Sequence, residues 1–338
     1  MARYDFASDN TAGAAPEALA ALVEGNVGFA SGYGTDHVTA RAADAVRAWL
    51  DADADVRFVA SGTAANSVAL AALARPFEAV VAHEHAHILT DETGAPGFFG
   101  QGVGLIGLPG AHGRIDPAAL SATLDRPDVS YRQAPAALSL TNATEYGAVY
   151  TAEEIVRLTA QAHGRGLPVH LDGARLANAV AAGFEPKRIK AMGVDVLVLG
   201  GTKAGMPPTE ALVLFDKALS RRFDARLKQA GQLPSKGRFY AAPWIGMLEG
   251  APGGTPLERH AARANAMAQK LAAVTPFRVT HPVEANAVFV DMDEPTRLRL
   301  VEQGWFVYRF IDGSVRFMCS WATTPEAVDE LAAVLTSL

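Results

Sequence analysis

The chain has 338 residues, 49% of them hydrophobic and 20% charged, with 30 basic against 36 acidic side chains and a net charge of −6. The length predicts roughly two domains, and an acidic balance with no basic patch argues against nucleic acid or an anionic membrane as partner. A single cysteine, Cys319, leaves no internal disulfide and fits a reducing compartment; with no signal-like apolar region near Met1 and no run of ~18 apolar residues to span a membrane, the expected location is the cytoplasm.

The opening segment from Tyr4 to Thr11 is polar and too short for a helix, and it reads as an arm laid over another part of the chain. Pro16 starts an alanine-rich helix to Val23. A loop with three glycines, Gly28 to Asp36, follows and is either a connector or a functional loop; a helix then runs from His37 to Leu50. From Val56 a strand leads to the turn Ser61-Gly62-Thr63 and a helix through Leu73. The free amides at that helix start, with the hydroxyls of Ser61 and Thr63, form an anion site suited to a phosphate, although both residues are also ordinary N-caps.

The next strand runs into His83, His85 and His87. Held extended, the three would share one strand face in metal-ligand geometry. Carboxylate and cysteine company is sparse and the run ends an apolar strand, so a loop is expected and no metal; an imidazole there can instead stack on a flat cofactor. Gly100 to Asp116 reads as a glycine-rich loop with a solvated His112. A further strand, Ala136 to Thr141, precedes a helix from Thr151 to His163, opened by the capping box Thr151-Ala152-Glu153-Glu154.

Two short apolar runs then end in chemistry. Gly166 to Leu171 stops at Asp172, followed by Gly173-Ala174-Arg175, and Val194 to Leu199 stops at glycines and then Lys203. Ligands of open parallel sheets bind outside the carboxyl ends of strands. A lysine desolvated at such an end can be partly neutral and attack a carbonyl, although a lone lysine there can equally snorkel to solvent. Asp172 read alone is a helix N-cap. Together they are the pair that a pyridoxal phosphate enzyme requires: an amine for the aldehyde, and a carboxylate that keeps the ring nitrogen protonated. With a helix from Pro186 to Met192, strands and helices alternate from 56 to 215, which predicts an α/β, doubly wound, mostly parallel sheet.

Past Phe215 the segment from Arg221 to Gly237, with Arg221, Arg222, Arg226, Lys228 and Lys236, is either a solvated helix face or a phosphate clamp. A helix from Thr255 to Val274, strands at Asn286–Asp291, Trp305–Phe310 and Ser314–Cys319, and helices at Pro295–Gln303 and Pro325–Leu335 predict a smaller C-terminal α+β domain. The expected division is 1–245 and 246–338.

The set Asp5-Phe6-Ala7-Ser8-Asp9, Ser61 to Asn66, His85-Ala86-His87-Ile88 with Glu92 and Gly94, His170 to Arg175, Lys203 and Val315-Arg316-Phe317 resembles the L-threonine aldolase family from end to end and in the same order. The Leu-Asp-Gly-Ala-Arg segment with the lysine is the most specific part. The resemblance implies the aspartate-aminotransferase-like fold and pyridoxal 5'-phosphate as cofactor. It implies cleavage of L-β-hydroxy-α-amino acids (L-threonine, L-allo-threonine, phenylserine) to glycine and an aldehyde. Lys203 would carry the cofactor as a Schiff base, Asp172 pair with the ring nitrogen, His87 stack on the ring, and Ser61, Gly62 and Thr63 bind the phosphate. Ser8, Arg175 and Arg316 would grip the substrate carboxylate. The family implies a dimer of dimers, with Lys228 reaching a phosphate in a neighbouring copy. It usually has a second histidine where this chain has Ser130; Ser130 is therefore placed near the substrate's β-carbon, and the base for the β-hydroxyl is left open between His87, His85 and water. The alternative is another pyridoxal phosphate enzyme on the same scaffold, a β-eliminating lyase or an aminotransferase.

Overall fold

The computed structural model describes residues 2–250 and 253–338. Its largest element is a seven-stranded sheet of β1 (Asp55–Val59), β2 (Glu78–His83), β3 (Gly104–Leu108), β4 (Ala134–Thr141), β5 (Val169–Gly173), β6 (Val196–Gly200) and β7 (Glu210–Leu214), in the order β1-β7-β6-β5-β4-β2-β3. Only β7 runs against the rest. Along β6, Leu197 and Leu199 enter a core with Val213, Leu158 and Trp244, while Val196 and Val198 enter another with Leu212, Val68 and Phe223. A strand covered on both faces has no polar side, which is why β6 reads as an unbroken apolar run and β5 and β7 are buried along their whole length. The carboxyl ends of all strands but β7 lie at one end of the sheet, and the register brings Asp172 beside Val198 and Glu210 beside both Gly200 and Val59.

The second unit is an antiparallel sheet of β8 (Ala287–Val290), β9 (Tyr308–Arg309) and β10 (Val315–Met318), ordered β8-β10-β9, packed on the helices Pro256–Val274, Glu294–Glu302 and Pro325–Ser337. The N-terminal arm belongs to this core: Phe6 is buried with Val288, Trp305, Phe317 and Leu331, and Met318 N–H donates to Phe6 O at 2.9 Å. The long helix from Pro256 joins the units, giving Leu257 and Ala261 to the large core and Ala268 and Leu271 to the small one.

Capping signals locate several boundaries. Thr151 Oγ1 accepts from Glu154 N and Glu154 Oε2 from Thr151 N, the reciprocal pair that satisfies two free donors; Thr255 and Glu258 do the same. Three expectations fail and one helix goes unanticipated. The segment Gly100–Asp116 contains β3, a half-exposed edge strand whose Gly-Leu-Ile-Gly-Leu sequence has two glycines and a single β-branched residue, Ile106. The helix Arg238–Leu248 was not legible, since it is apolar all round and carries Pro243. Pro186–Met192 yields only a short 3-10 turn at Pro186–Arg188. Trp305 does not join β9 but bridges to Arg3 of the arm.

Candidate active site

Asp172 ends β5 and is 4% exposed. One carboxylate oxygen accepts from Ala174 N at 2.9 Å and the other from Asn66 Nδ2 at 2.8 Å. It therefore holds the turn after its own strand; the helix Leu176–Ala181 begins at Arg175 without a side-chain cap, so the N-cap reading is corrected. Lys203 sits on a single 3-10 turn, Thr202–Ala204, one residue past the β6 glycines. Gly200 allows that approach: a Cβ there would lie 2.2 Å from Ala174 O. Gly205 ends the turn at φ +98°, where a side chain would also strike the Trp321 ring, and its carbonyl accepts from Ala15 N at 2.7 Å. Burial, then the Arg175 charge, draw the Lys203 ammonium below its ordinary pKa, against Asp9, Asp172 and Glu210. The sheet, the arm and the small unit thus hold one desolvated amine in place.

Ser61 precedes the helix Gly62–Leu73 and its hydroxyl accepts from Ala64 N at 3.3 Å. The first amides of this twelve-residue helix stay available, and nothing lies within 4 Å of where a Gly62 Cβ would be. Ala60 N, on the approach, donates to Gln232 Oε1 at 3.0 Å.

The three histidines part company because the strand stops at His83. His83 Nε2 pairs with Gly110 O at 3.0 Å, His85 Nδ1 with the Tyr146 hydroxyl at 2.6 Å, and His87 opens the short helix to Thr90. They do not share a face, and no cluster of three or more metal-ligating side chains occurs among the described residues. His87 is half-exposed, with Nδ1 2.8 Å from Glu92 Oε1. That bond raises the His87 pKa, and burial raises Glu92. The backbone N–H of His87 donates to Glu145 Oε1 at 3.0 Å, and burial pushes Glu145 up to about 7.

Arg175 faces the arm, with Nε and one terminal nitrogen on the two oxygens of Asp9 at 2.7 and 2.9 Å; Asn286 Nδ2 adds a third donor at 3.1 Å. Burial alone would raise the Asp9 carboxyl, but Arg175 outweighs it and holds it below the ordinary range. Arg316, on β10, lies over the rings of Tyr308 and Phe310. Its Nε is buried without a partner, and burial, then Arg175, disfavour its charge, a state that an incoming carboxylate relieves. Ser8 Oγ, also buried, accepts from Asn10 N at 3.2 Å.

Two residues fall elsewhere. Ser130 is exposed on the turn before β4, at the amino ends of the strands. At about 3.3 Å per residue the eight residues of β4 put roughly 26 Å between that turn and the end carrying Asp172. Within one chain Ser130 does not meet the other site residues. Lys228 is exposed on the helix Phe223–Gln229, its ammonium 4.5 Å from the centroid of Tyr33 in the Gly28–Asp36 loop. His112, expected in solvent, is half-buried, with Nδ1 2.9 Å from His281 Nδ1.

Asn66, Glu92, Glu145 and Glu210 had no assigned role in the sequence reading. Glu210 Oε2 accepts from Gly201 N at 2.7 Å, holding the turn that presents Lys203, and burial lifts its pKa from 4.5 to about 7. A carboxyl raised on folding contributes stability below its unfolded pKa and loses it as pH rises through the folded one. Glu210→Gln keeps an oxygen for Gly201 and removes that loss. Its melting temperature should exceed that of the wild type at pH 8 and fall to or below it at pH 5; an equal difference at both would show that Glu210 does not titrate there.

These parts fit pyridoxal phosphate: an unobstructed helix N-terminus, a buried carboxylate with oriented lone pairs, an amine of lowered pKa, and an imidazole open on one side. The beta-eliminating lyase family model matches residues 5–295. The chain is 45% identical to a low specificity L-threonine aldolase of Pseudomonas sp. (strain NCIMB 10558), over 97% of this chain and 96% of that one. It is also 45% identical to one of Pseudomonas aeruginosa, over 97% and 95%. A solved threonine aldolase of Leishmania major superposes with a TM-score of 0.90 at 29% identity, covering 99% of both chains. The chain belongs to the beta-eliminating lyase family of pyridoxal phosphate-dependent enzymes, among its low specificity L-threonine aldolases.

Proposed function

We propose that this enzyme cleaves L-β-hydroxy-α-amino acids, L-threonine and L-allo-threonine among them, to glycine and an aldehyde. The observation that carries the reading is the desolvated Lys203 beside Asp172 at one end of the sheet, with Arg175 and Arg316 close enough to act on each other's charge. Pyridoxal phosphate, when bound, supplies a protonated ring able to accept the electron pair of the breaking Cα–Cβ bond. Lys203 would give the amine that holds its aldehyde. Asp172 would pair with the ring nitrogen and favour its proton. The Gly62 and Thr63 amides and the Ser61 hydroxyl would receive the phosphate, and His87 would cover the ring.

Arg316, the remaining donors of Arg175, and Ser8 would orient the substrate carboxylate and so select which bond at Cα is presented for cleavage. His87, with Nδ1 on Glu92 and Nε2 free of it, takes the β-hydroxyl proton; His85 is tied to Tyr146. The exposed Phe29 and Tyr33 beside Lys228 form a surface that a second copy covers, in a dimer of dimers with Lys228 turned to a neighbouring phosphate. The division near residue 245 separates the cofactor unit from the one that brings Arg316, and the cytoplasm is the compartment.

Incubation with L-threonine should release acetaldehyde and glycine in equal amounts. Ammonia with 2-oxobutyrate would instead mean β-elimination, and an oxo acid with an aminated cofactor would mean transamination. Since hydrogen bonds to charged groups are worth about 1.5–3 kcal/mol, Arg316→Ala should raise KM for L-threonine about 10- to 100-fold with a smaller change in kcat. An unchanged KM would place the carboxylate elsewhere.

A further inference from the structure

Between Asp172 and His87 lies an unbroken line of polar contacts through two buried side chains. Asn66, 1% exposed, donates one amide hydrogen to Asp172 Oδ2 at 2.8 Å and the other to Glu92 Oε1 at 2.9 Å. The same Glu92 oxygen meets His87 Nδ1 at 2.8 Å. The amide has one orientation: turned over, its oxygen would face two carboxylates, whereas its NH₂ satisfies both. Asn66 Oδ1 and Glu92 Oε2 are buried without partners, a cost that two strong hydrogen bonds to carboxylates offset. Neither group faces the open cleft, so neither is placed to touch a substrate.

We propose that Asn66 and Glu92 are positioning residues that form one bridge, through which the protonation of the His87 imidazole and the hold on the Asp172 carboxylate are coupled. When Glu92 is a carboxylate it holds a proton on His87 and fixes the Asn66 amide with its NH₂ turned inward, so that the second N–H is held on Asp172 and keeps that carboxylate in the position that would face the ring nitrogen. When Glu92 is neutral, both effects weaken together. The residue over the ring face and the residue at the ring nitrogen thereby respond to one proton. Low surrounding polarity strengthens such a chain. Other charges facing the bridge are Lys203 and Arg175 from the cleft, Asp9 behind Arg175, and Glu145, whose carboxylate takes the backbone N–H of His87.

This inference rests on the pyridoxal phosphate reading, and a double-mutant cycle with two readouts keeps them separable. In the holoenzyme, the pH midpoint of the visible cofactor band and the NMR titration of labelled His87 are measured for wild type, Glu92→Gln, Asn66→Ala and the double variant, with melting curves to show that each is folded. Glu92→Gln should lower both midpoints by at least about half a pH unit, a threefold change in proton affinity. In the Asn66→Ala background the same substitution should still lower the His87 midpoint but leave the cofactor band unmoved. Additive shifts of the cofactor band, equal in both backgrounds, would overturn the bridge. A wild-type protein with no visible band would overturn the cofactor assignment instead. The bridge would then stand or fall on whether Asp172→Asn shifts the His87 midpoint in the wild-type background and not with Asn66→Ala.

Discussion

Lys203→Ala should abolish L-threonine cleavage, lowering kcat by about 10³-fold or more, because loss of a covalent nucleophile is not compensated by its neighbours. The fold should survive, since the turn carrying Lys203 is held by Glu210 on Gly201 N–H and by Ala15 on Gly205 O, not by the amine. The buried site would lose a costly ammonium, so the melting temperature should not fall. Borohydride reduction followed by peptide mapping gives the direct check: the wild type should fix the cofactor to the peptide containing Lys203, and the variant should fix none. A variant whose cofactor is still fixed by borohydride would assign the bond to another lysine and remove the main support for the proposed reaction.

Asp172→Asn should be the second most damaging change. The variant keeps the size of the side chain and an oxygen for Ala174 N–H. It loses the negative charge that favours a proton on the ring nitrogen, and it turns an NH₂ toward Asn66 Nδ2, which is itself a donor. Removing one preorganised electrostatic partner of a developing charge costs about 10²–10³-fold in kcat, and that is the loss expected, with cofactor content and KM for L-threonine much less affected. Asp172→Glu is the sharper control: the charge returns but one methylene longer, in a site where Asn66 and Ala174 fix the distance, so rescue should be partial. Full activity in Asp172→Asn would show that another buried acid, such as Glu145 or Glu92, keeps the ring protonated.

The residues that were legible in the sequence share a local signature. Lys203 and Asp172 each end an apolar run that is covered on both faces, so the run's length gives the strand and its last residues give the site. Thr151 and Glu154 announce a helix because the capping box is a contact between neighbours. Asn66, Glu92 and Glu210 carry no such signal. Their partners lie 106, 5 and 9 positions away, and nothing in a helix, a turn or a strand start reveals that a side chain will be turned inward to meet a carboxylate, an imidazole or a backbone amide. Ser130 is the reverse case: its neighbours along the chain give its alignment but not its place, and only the direction of β4 puts it, within one chain, at the far end of the sheet from Asp172.

The arm that buries Phe6 among Trp305, Val288 and Phe317 also fixes when the site can form during synthesis. Arg3 meets Glu330 across 327 positions, and Asp9, which holds Arg175, waits for Asn286 as well. On a ribosome adding roughly 5–20 residues per second, the large sheet has emerged well before these partners exist. Contacts of such sequence separation close late. A nascent chain can therefore acquire its Lys203 turn and its phosphate cup while Arg175 still lacks a counter-charge, and catalytic competence arrives only with the last strand and helix.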